Sequence, residues 1–348
     1  MDIVLVILGL ALLILGHEFG HFSVAKFLKM KVEEFGIGFP PRLFGKRKGE
    51  TLYSVNALPF GGFVKLYGED GEKSEDPDAF LNKPFWEKSL VVLAGIAMNL
   101  VLGWVMLAAV LITGTPAHLM IVNVERGSPA AAAGLQTGDV IQKATIGNTT
   151  LSDPISDTAF VNAVKDAANP AVSLTIVRDG TVVPIALEKR ANPPAGQGAL
   201  GIGLSDIGAA PEPFFRGLGD AAAETVDFSL LIFGGLWTLV SGIFTNPSVM
   251  QGVAGPVGIV VLASHATSIG VMYLVQLLGL ISINLAVLNL IPFPALDGGR
   301  FFVFIIEKIR GKKISTKVQL AVNGAGFALL ILLMVFITVN DVRNLIIR

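Results

Sequence analysis

Long apolar segments constrain this chain most, because about 20 consecutive apolar residues can cross a bilayer as a helix. Four segments reach that length, at roughly residues 3–28, 89–112, 271–293 and 318–340. A fifth, residues 228–244, is shorter and lies at the lower limit. Charged residues make up 15% of the chain, against about 25% in an ordinary soluble domain. The sequence therefore predicts a polytopic α-helical membrane protein with four transmembrane helices.

The distribution of basic residues predicts how these helices are oriented. Residues 29–48 and 307–317 are rich in Lys and Arg, whereas residues 245–270 carry no Lys, Arg, Asp or Glu. The positive-inside rule places the first two regions in the cytoplasm and the third outside. A fifth crossing helix would place residues 245–270 in the cytoplasm. Residues 211–245 are therefore predicted to form an amphipathic helix in the outer interface.

Between the second and third spans, residues 115–210 have the composition of a small soluble α/β domain. Ser128 and Pro129 are typical of a helix start, and Asp179-Gly180 is typical of a hairpin turn between two strands. The segment GSPAAAAGLQTGDVI resembles the PDZ signature. ALGIGLS, at residues 199–205, resembles the carboxylate-binding loop of circularly permuted PDZ domains, so an extracytoplasmic PDZ domain is predicted here.

Composition excludes several function classes. The chain has no cysteine, which excludes disulfides, thiolate metal ligands and cysteine nucleophiles. Its net charge of −1 gives no long-range field that would attract nucleic acid, so no nucleic-acid partner is expected.

The segment HEFGH places three ionisable side chains within the first apolar helix. Charged groups at the centre of a membrane helix are disfavoured by about 2.5–3.5 kcal/mol, which suggests a function that offsets this cost. His17 and His21 are four residues apart, so they share one helix face and can bind one metal ion. Glu18 is adjacent and can act as a general base, which is the HExxH pattern of zinc metalloproteases.

Asp297, in NLIPFPALDGGR, is the best candidate for a third protein ligand. The third span enters from the same side as the first, so both can reach similar depth late in their course. Pro292 and Pro294 break the helix there and free backbone groups to line a wet cavity. His118 and His265 fall in regions assigned to the outside and are interpreted as ordinary surface histidines.

HEFGH in the first span, NLIPFPALDGG in the third and the PDZ-like domain between them together resemble the site-2 protease family. The resemblance extends over essentially the whole chain and is to the bacterial regulator-of-sigma-E branch, in a form with one PDZ domain. AGIAMN, at residues 94–99, resembles the family's second-span motif, with Ile96 where proline is usual. PFGGFVKLYGED, at residues 59–70, resembles the membrane-associated β-loop of the family.

The resemblance implies an intramembrane zinc metalloendopeptidase with one catalytic zinc ion. His17, His21 and Asp297 would be its ligands and Glu18 its catalytic base. The residues expected to contact substrate are Asn289, Asn284, Asn99, Gly61, Gly62 and Phe63. Asn289 and Asn284 could instead form hydrogen bonds between helices. Expected partners are the lipid bilayer and single-span membrane proteins, such as anti-sigma factors or signal-peptide remnants, after an earlier cleavage. The expected location is the bacterial plasma (inner) membrane.

The predicted organisation follows the chain in order. It comprises helix 1 (1–28), a cytoplasmic membrane-associated β-loop region (29–88), helix 2 (89–114), the PDZ domain (115–210), the interfacial helix (211–245), an outer loop (246–270), helix 3 with the LDG motif (271–297), a cytoplasmic loop (298–317), helix 4 (318–340) and a C-terminal tail (341–348).

Several alternatives stay open at this point. Substrate could add as a strand to the edge of Leu52–Val55 or of Phe63–Tyr67. The PDZ domain could filter substrates by size or bind their C-termini. Other functions consistent with parts of the sequence are a membrane metalloprotease that uses a downstream glutamate and cleaves outside the lipid, and a non-enzymatic PDZ scaffold.

Overall fold

The computed structural model describes residues 2–69, 76–178, 180–194, 197–242 and 255–347, and it is mostly helical. Within this part of the chain, five helices are long and apolar enough to cross a membrane. They are α1 (Asp2–Phe27), α2 (Phe85–Thr113), α5 (Phe214–Gly242), α7 (Val271–Leu290) and α9 (Thr316–Ile347). Four of them coincide with the predicted spans. The fifth, α5, contains the segment predicted to lie in the interface, and by length and composition it can also cross.

Helix α2 lies at the centre of the helical part and contacts α1, α5, α7 and a later helix, α8 (Asp297–Arg310). Small residues let the backbones approach closely: Gly103 of α2 faces Gly279 of α7, where the carbonyl oxygen of Gly279 lies 3.0 Å from a Cβ placed on Gly103. The side chain of Ser282 also donates a hydrogen bond of 2.8 Å to the carbonyl oxygen of Asn99. These contacts fix α2 against α7.

Strands β1 (Val32–Lys48) and β2 (Thr51–Leu66) are long and bent, and together they form a small sheet beside α1. Residues 52–55 of β2 pair with residues 34–37 on one side and with residues 44–47 on the other. That segment therefore has no free edge, and the prediction that substrate could add to Leu52–Val55 is wrong. The end of β2, residues 62–66, pairs with β1 on one side only.

Residues 115–209 form the predicted α/β domain. Its strands are β3 (Thr115–Val124), β4 (Val140–Ile146), β5 (Thr149–Ser152), β6 (Ala171–Arg178), β7 (Thr181–Glu188) and β8 (Ile202–Ala209), and its helices are α3 (Pro129–Ala132) and α4 (Asp157–Asp166). The sheet order is β7-β6-β4-β3-β8, with β5 on β4. Ser128 accepts a hydrogen bond from the amide of Ala131, so the predicted helix start is confirmed. The predicted hairpin residue Asp179 lies outside the described residues.

Two regions predicted as loops contain helices, and those predictions are wrong in this respect. Residues 298–317 include most of α8 (Asp297–Arg310), whose Phe301 and Phe304 pack against α2 and the β-sheet. Residues 246–270 include α6 (Pro256–Ile269), whose Ala263 packs between α1 and α7. The region 341–348 was predicted as a tail, but α9 continues to Ile347. A short 3-10 helix, Phe80–Asn82, precedes α2.

Candidate metal centre

Helix α1 supplies the first two side chains of the centre. His17 and His21 lie one turn apart on the helix, so their rings meet with centroids 4.7 Å apart in an edge-to-face arrangement. The Nε2 atoms of the two rings are 3.2 Å apart. The two histidines therefore share one face of α1, as predicted from their spacing.

Asp297 reaches the same point because the chain breaks after α7. Helix α7 ends at Leu290, Pro292 and Pro294 prevent its continuation, and Asp297 is the first residue of α8. Side chains on Gly298 or Gly299 would collide with the carbonyl oxygens of residues 290, 291 and 293. The two glycines after Asp297 therefore let α8 start directly against the broken end of α7, which explains the DGG sequence.

The three side chains converge on one small volume. Asp297 Oδ2 lies 3.0 Å from His17 Nε2 and 3.2 Å from His21 Nε2. Among the described residues, these three are the one group of His, Asp or Glu side chains close enough to share a metal ion. Zinc–ligand distances of about 2.0–2.2 Å place tetrahedral ligands roughly 3.3–3.6 Å apart. The observed separations of 3.0 and 3.2 Å are slightly shorter, so the three atoms would move apart by a few tenths of an ångström to hold zinc.

The hydrogen-bonding pattern also fits a cation. Asp297 Oδ2 is buried and receives no hydrogen bond of acceptable geometry. His21 Nδ1 lies 2.8 Å from the carbonyl oxygen of Val91, which can only accept, so Nδ1 carries the proton and Nε2 presents a lone pair. The lone pairs of His21 Nε2 and Asp297 Oδ2 face each other and repel. A metal ion between the two atoms would remove this repulsion by binding both lone pairs.

Glu18 lies close to both histidines and also against β2. The backbone N–H of Val64 donates to its carboxylate. Gly62 lies close to the same side chain: a Cβ placed on Gly62 would be 3.9 Å from Glu18 Cγ. The carboxylate therefore contacts the end of β2 and interacts electrostatically with His21 and His17.

The residues predicted to contact substrate fall into three groups. Gly61 and Gly62 pack directly on α1, and Phe63 stacks on Phe39 with ring centroids 6.4 Å apart. Asn284 and Asn289 are half-buried on α7, and within the described residues neither side chain has a hydrogen-bond partner. Their amides are thus free to bind a further group.

Asn99 differs from the other predicted contact residues. It is 1% exposed, and its Nδ2 lies 3.2 Å from His17 Nδ1. The side chain faces the back of a histidine ring instead of an open surface, because α2 packs directly behind α1 at this level. This placement suits a role in orienting His17.

Two features of the centre were not predicted from the sequence. The first is Gly95, against which both imidazole rings pack, so that a Cβ there would collide with His21 and His17. The second is an ion pair between α8 and the β-sheet. Arg300 forms an ion pair with Glu69, whose other oxygen accepts the amide of Leu66 at the end of β2. The Glu69 carboxylate raises the pKa of Arg300, which keeps this link between α8 and the β-sheet charged.

The competing ligands are engaged elsewhere. His118 pairs with Asp153 at 2.8 Å in the α/β domain. Glu33 pairs with Lys65 at 3.3 Å and Glu34 with Arg42 at 2.8 Å. These contacts disfavour a downstream glutamate as the third ligand.

Comparisons with known proteins identify the family of the chain. The sequence profile of peptidase family M50 matches residues 5–333. A relative from Clostridium acetobutylicum, named zinc metalloprotease, is 35% identical and covers 98% of this chain and 97% of its own. One from Clostridium perfringens with the same description is 36% identical, covering 98% of each chain. The regulator of sigma-W protease of Bacillus subtilis is 28% identical, covering 96% of each chain.

Proposed function

The chain belongs to peptidase family M50 and is a zinc metalloprotease, and from that premise we propose that it cleaves single-span membrane proteins within the bilayer. One observation carries the proposal: Asp297 Oδ2 lies within 3.2 Å of Nε2 of both His17 and His21. Because all three lie at helix positions flanked by apolar segments, the reaction would take place below the membrane surface.

We propose that His17, His21 and Asp297 hold the zinc ion. When bound, zinc supplies Lewis-acid chemistry: it polarises a peptide carbonyl and lowers the pKa of water, so that water can lose a proton and attack near neutral pH. Three protein ligands are typical of catalytic zinc, since a structural site usually has four. The two neutral imidazoles and one carboxylate match that donor set.

Glu18 is the proposed general base. Its carboxylate adjoins the ligand His17 and contacts the end of β2, so it can take a proton from water and pass it to the leaving amine. The Val64 N–H would hold the carboxylate in this orientation between turnovers. The amides of Asn284 and Asn289, which have no hydrogen-bond partner among the described residues, are suited to hold the substrate backbone or the developing oxyanion.

A peptide bond inside a helix is shielded by its own hydrogen bonds, so the substrate must unwind before cleavage. Within the described residues, 62–66 of β2 pair with β1 on one side only, and on the other side the Val64 and Leu66 amides donate to Glu18 and Glu69. An unwound segment that displaces these carboxylates can pair there as an added strand. Gly61, Gly62 and Phe63 would line this edge. The proposed substrates are therefore single-span proteins that can present an extended segment at that depth.

The regulator of sigma-W protease named among the relatives suggests the substrate class. We propose membrane-anchored anti-sigma factors, and signal-peptide remnants as a further class, each shortened by an earlier protease. The proposed location is the plasma (inner) membrane of a bacterium, with residues 115–210 outside the cytoplasm as a PDZ domain. That domain would filter substrates by size or bind their new C-termini, and α5 would lie in the outer interface.

Two variants test the proposal in purified full-length protein reconstituted in nanodiscs. Asp297→Ala is expected to lose both zinc and cleavage of a single-span substrate, because it removes a ligand. Glu18→Gln is expected to keep zinc and to lose cleavage by about 10²–10⁴-fold, the range for a general acid–base group. Full zinc content and activity in Asp297→Ala would show that the proposed ligand set is wrong.

A deletion separates the two roles proposed for residues 115–210. Without residues 117–205, a size filter predicts faster cleavage of untrimmed substrates and an unchanged rate for trimmed ones. A binding domain predicts slower cleavage of trimmed substrates instead. If the deletion variant and the full-length protein cleave trimmed and untrimmed substrates at the same relative rates, both roles are excluded.

A further inference from the structure

The Nδ1 atoms of the two histidines meet different partners, although their Nε2 atoms face the same carboxylate. His21 Nδ1 donates to the carbonyl oxygen of Val91, which fixes its proton on Nδ1. His17 Nδ1 instead lies 3.2 Å from Asn99 Nδ2, an amide nitrogen that can only donate. In that arrangement His17 Nδ1 is the acceptor, and a neutral ring carries its proton on Nε2.

A proton on His17 Nε2 is incompatible with metal binding through that atom. Yet Nε2 is the nitrogen that lies 3.0 Å from Asp297 Oδ2, so it is the one placed to coordinate. The ring must therefore carry its proton on Nδ1 when the centre is loaded, and Nδ1 then needs a hydrogen-bond acceptor.

The amide of Asn99 can provide that acceptor by turning over. Its Oδ1 is buried and has no hydrogen-bond partner in the described part of the chain, so exchanging the two ends breaks no hydrogen bond made by Oδ1. The two ends have nearly the same shape, which means the exchange needs no extra space. It places Oδ1 about as far from His17 Nδ1 as Nδ2 is now, within hydrogen-bonding distance.

The backbone around Asn99 is held firmly enough for such a contact to be specific. Asn99 is 1% exposed, and its carbonyl oxygen accepts a hydrogen bond from Ser282 of α7. Val91, Gly95 and Asn99 are spaced by four residues, so they lie along one face of α2. That face supplies, in order, an acceptor for His21, a surface for both rings and an amide for His17.

We propose that Asn99 is a positioning residue that presents Oδ1 to His17 Nδ1 and so keeps Nε2 unprotonated for zinc. This inference rests on the proposed zinc ligands. Asn99 would then contact Nδ1 of the proposed ligand His17 and not the substrate. Helix α2 would set the tautomer of both histidines, through Asn99 for His17 and through Val91 for His21.

Zinc affinity tests the inference, measured by competition with a chelator on full-length protein in nanodiscs. Asn99→Leu keeps the approximate size of the side chain and removes the acceptor, so zinc affinity is expected to fall by about 10–100-fold. Asn99→Ala, which cannot overpack, is expected to show the same loss. Asn99→Asp retains an acceptor and is expected to stay within a few fold of the wild type.

Controls separate this role from packing and from the proposed function. Gly103→Ala changes the packing of α2 against α7 one turn from Asn99 and should leave zinc affinity unchanged. The visible absorption spectrum of the Co²⁺-loaded protein should be altered in Asn99→Leu and Asn99→Ala but kept in Asn99→Asp. Wild-type zinc affinity in Asn99→Leu or Asn99→Ala would overturn the inference, as would an equal loss in Asn99→Asp. If Asp297→Ala also bound zinc as the wild type does, the proposed ligand set itself would fail.

Discussion

Replacing Gly95 by alanine tests how closely α2 supports the histidines. A Cβ placed on Gly95 would lie 2.5 Å from Cε1 of His21 and 2.8 Å from Cε1 of His17. Carbon atoms in contact are normally about 3.5–4.0 Å apart, so the rings must move by about 0.7–1 Å or the helices must separate by a similar distance. His21 cannot move freely, because its Nδ1 is bound to the Val91 carbonyl oxygen.

The expected result of Gly95→Ala is a loss of function without a matching loss of helix stability. Alanine is the better helix former by about 1 kcal/mol, so propensity alone favours the variant. Displacing the ligands by most of an ångström is expected to weaken zinc binding by about 10–100-fold and cleavage by about 100-fold. Chelator competition measures the first quantity and hydrolysis of a fluorescent single-span substrate measures the second.

Gly103→Ala is the matched control, since it makes the same change on the same helix. Its Cβ would meet the side chain of Ile283 and not the histidines. It is expected to loosen α2 from α7 while leaving zinc affinity intact. The reasoning is refuted if Gly95→Ala binds zinc and cleaves substrate as the wild type does, or if both variants lose zinc equally.

Three further perturbations have expected outcomes. Glu69→Gln and Arg300→Gln should each slow cleavage severalfold. The double variant should be no slower, because the two residues form one ion pair between α8 and the β-sheet. The free energy of unfolding should change by less than about 1 kcal/mol, since the pair is partly exposed. Asp341→Ala removes the carboxylate that accepts the amides of Gly255 and Gly258, so α6 should exchange its amide hydrogens faster, by an amount equivalent to about 0.5–2 kcal/mol. Chelation of zinc should lower the thermal unfolding midpoint, since an ion at 100 times its Kd stabilises the folded state by about 2.7 kcal/mol.

The parts of the site that sequence could predict are those set by local geometry or by topology. The four-residue spacing of His17 and His21 determines that they share a helix face, whatever surrounds them. Pro292 and Pro294 determine that α7 stops, and the order of the spans brings Asp297 to the depth of the histidines. These three features were enough to predict which side chains converge.

The parts that could not be predicted depend on partners distant in sequence. Helix α8 was missed because the Lys- and Arg-rich stretch at 307–317 was interpreted as a loop, whereas Phe304 buries its ring between α2 and the sheet. Helix α6 is only 14 residues long and carries no charge, so neither length nor patterning marked it. The orientation of Asn99 towards His17 arises from the crossing of α1 and α2, which no local pattern encodes.

The sum of charges explains how Glu18 in α1 and Asp297 at the start of α8 are tolerated between apolar helices. Glu18 and Asp297 contribute two negative charges, and each charge at bilayer depth is disfavoured by about 2.5–3.5 kcal/mol. Arg300, whose positive charge reaches both carboxylates, is already paired with Glu69 and cannot neutralise them. A zinc ion held by the proposed ligands, two neutral imidazoles and Asp297, would bring the centre to zero net charge. The ion would then also offset the cost of placing the proposed ligands in the membrane, which would couple zinc binding to folding of this centre.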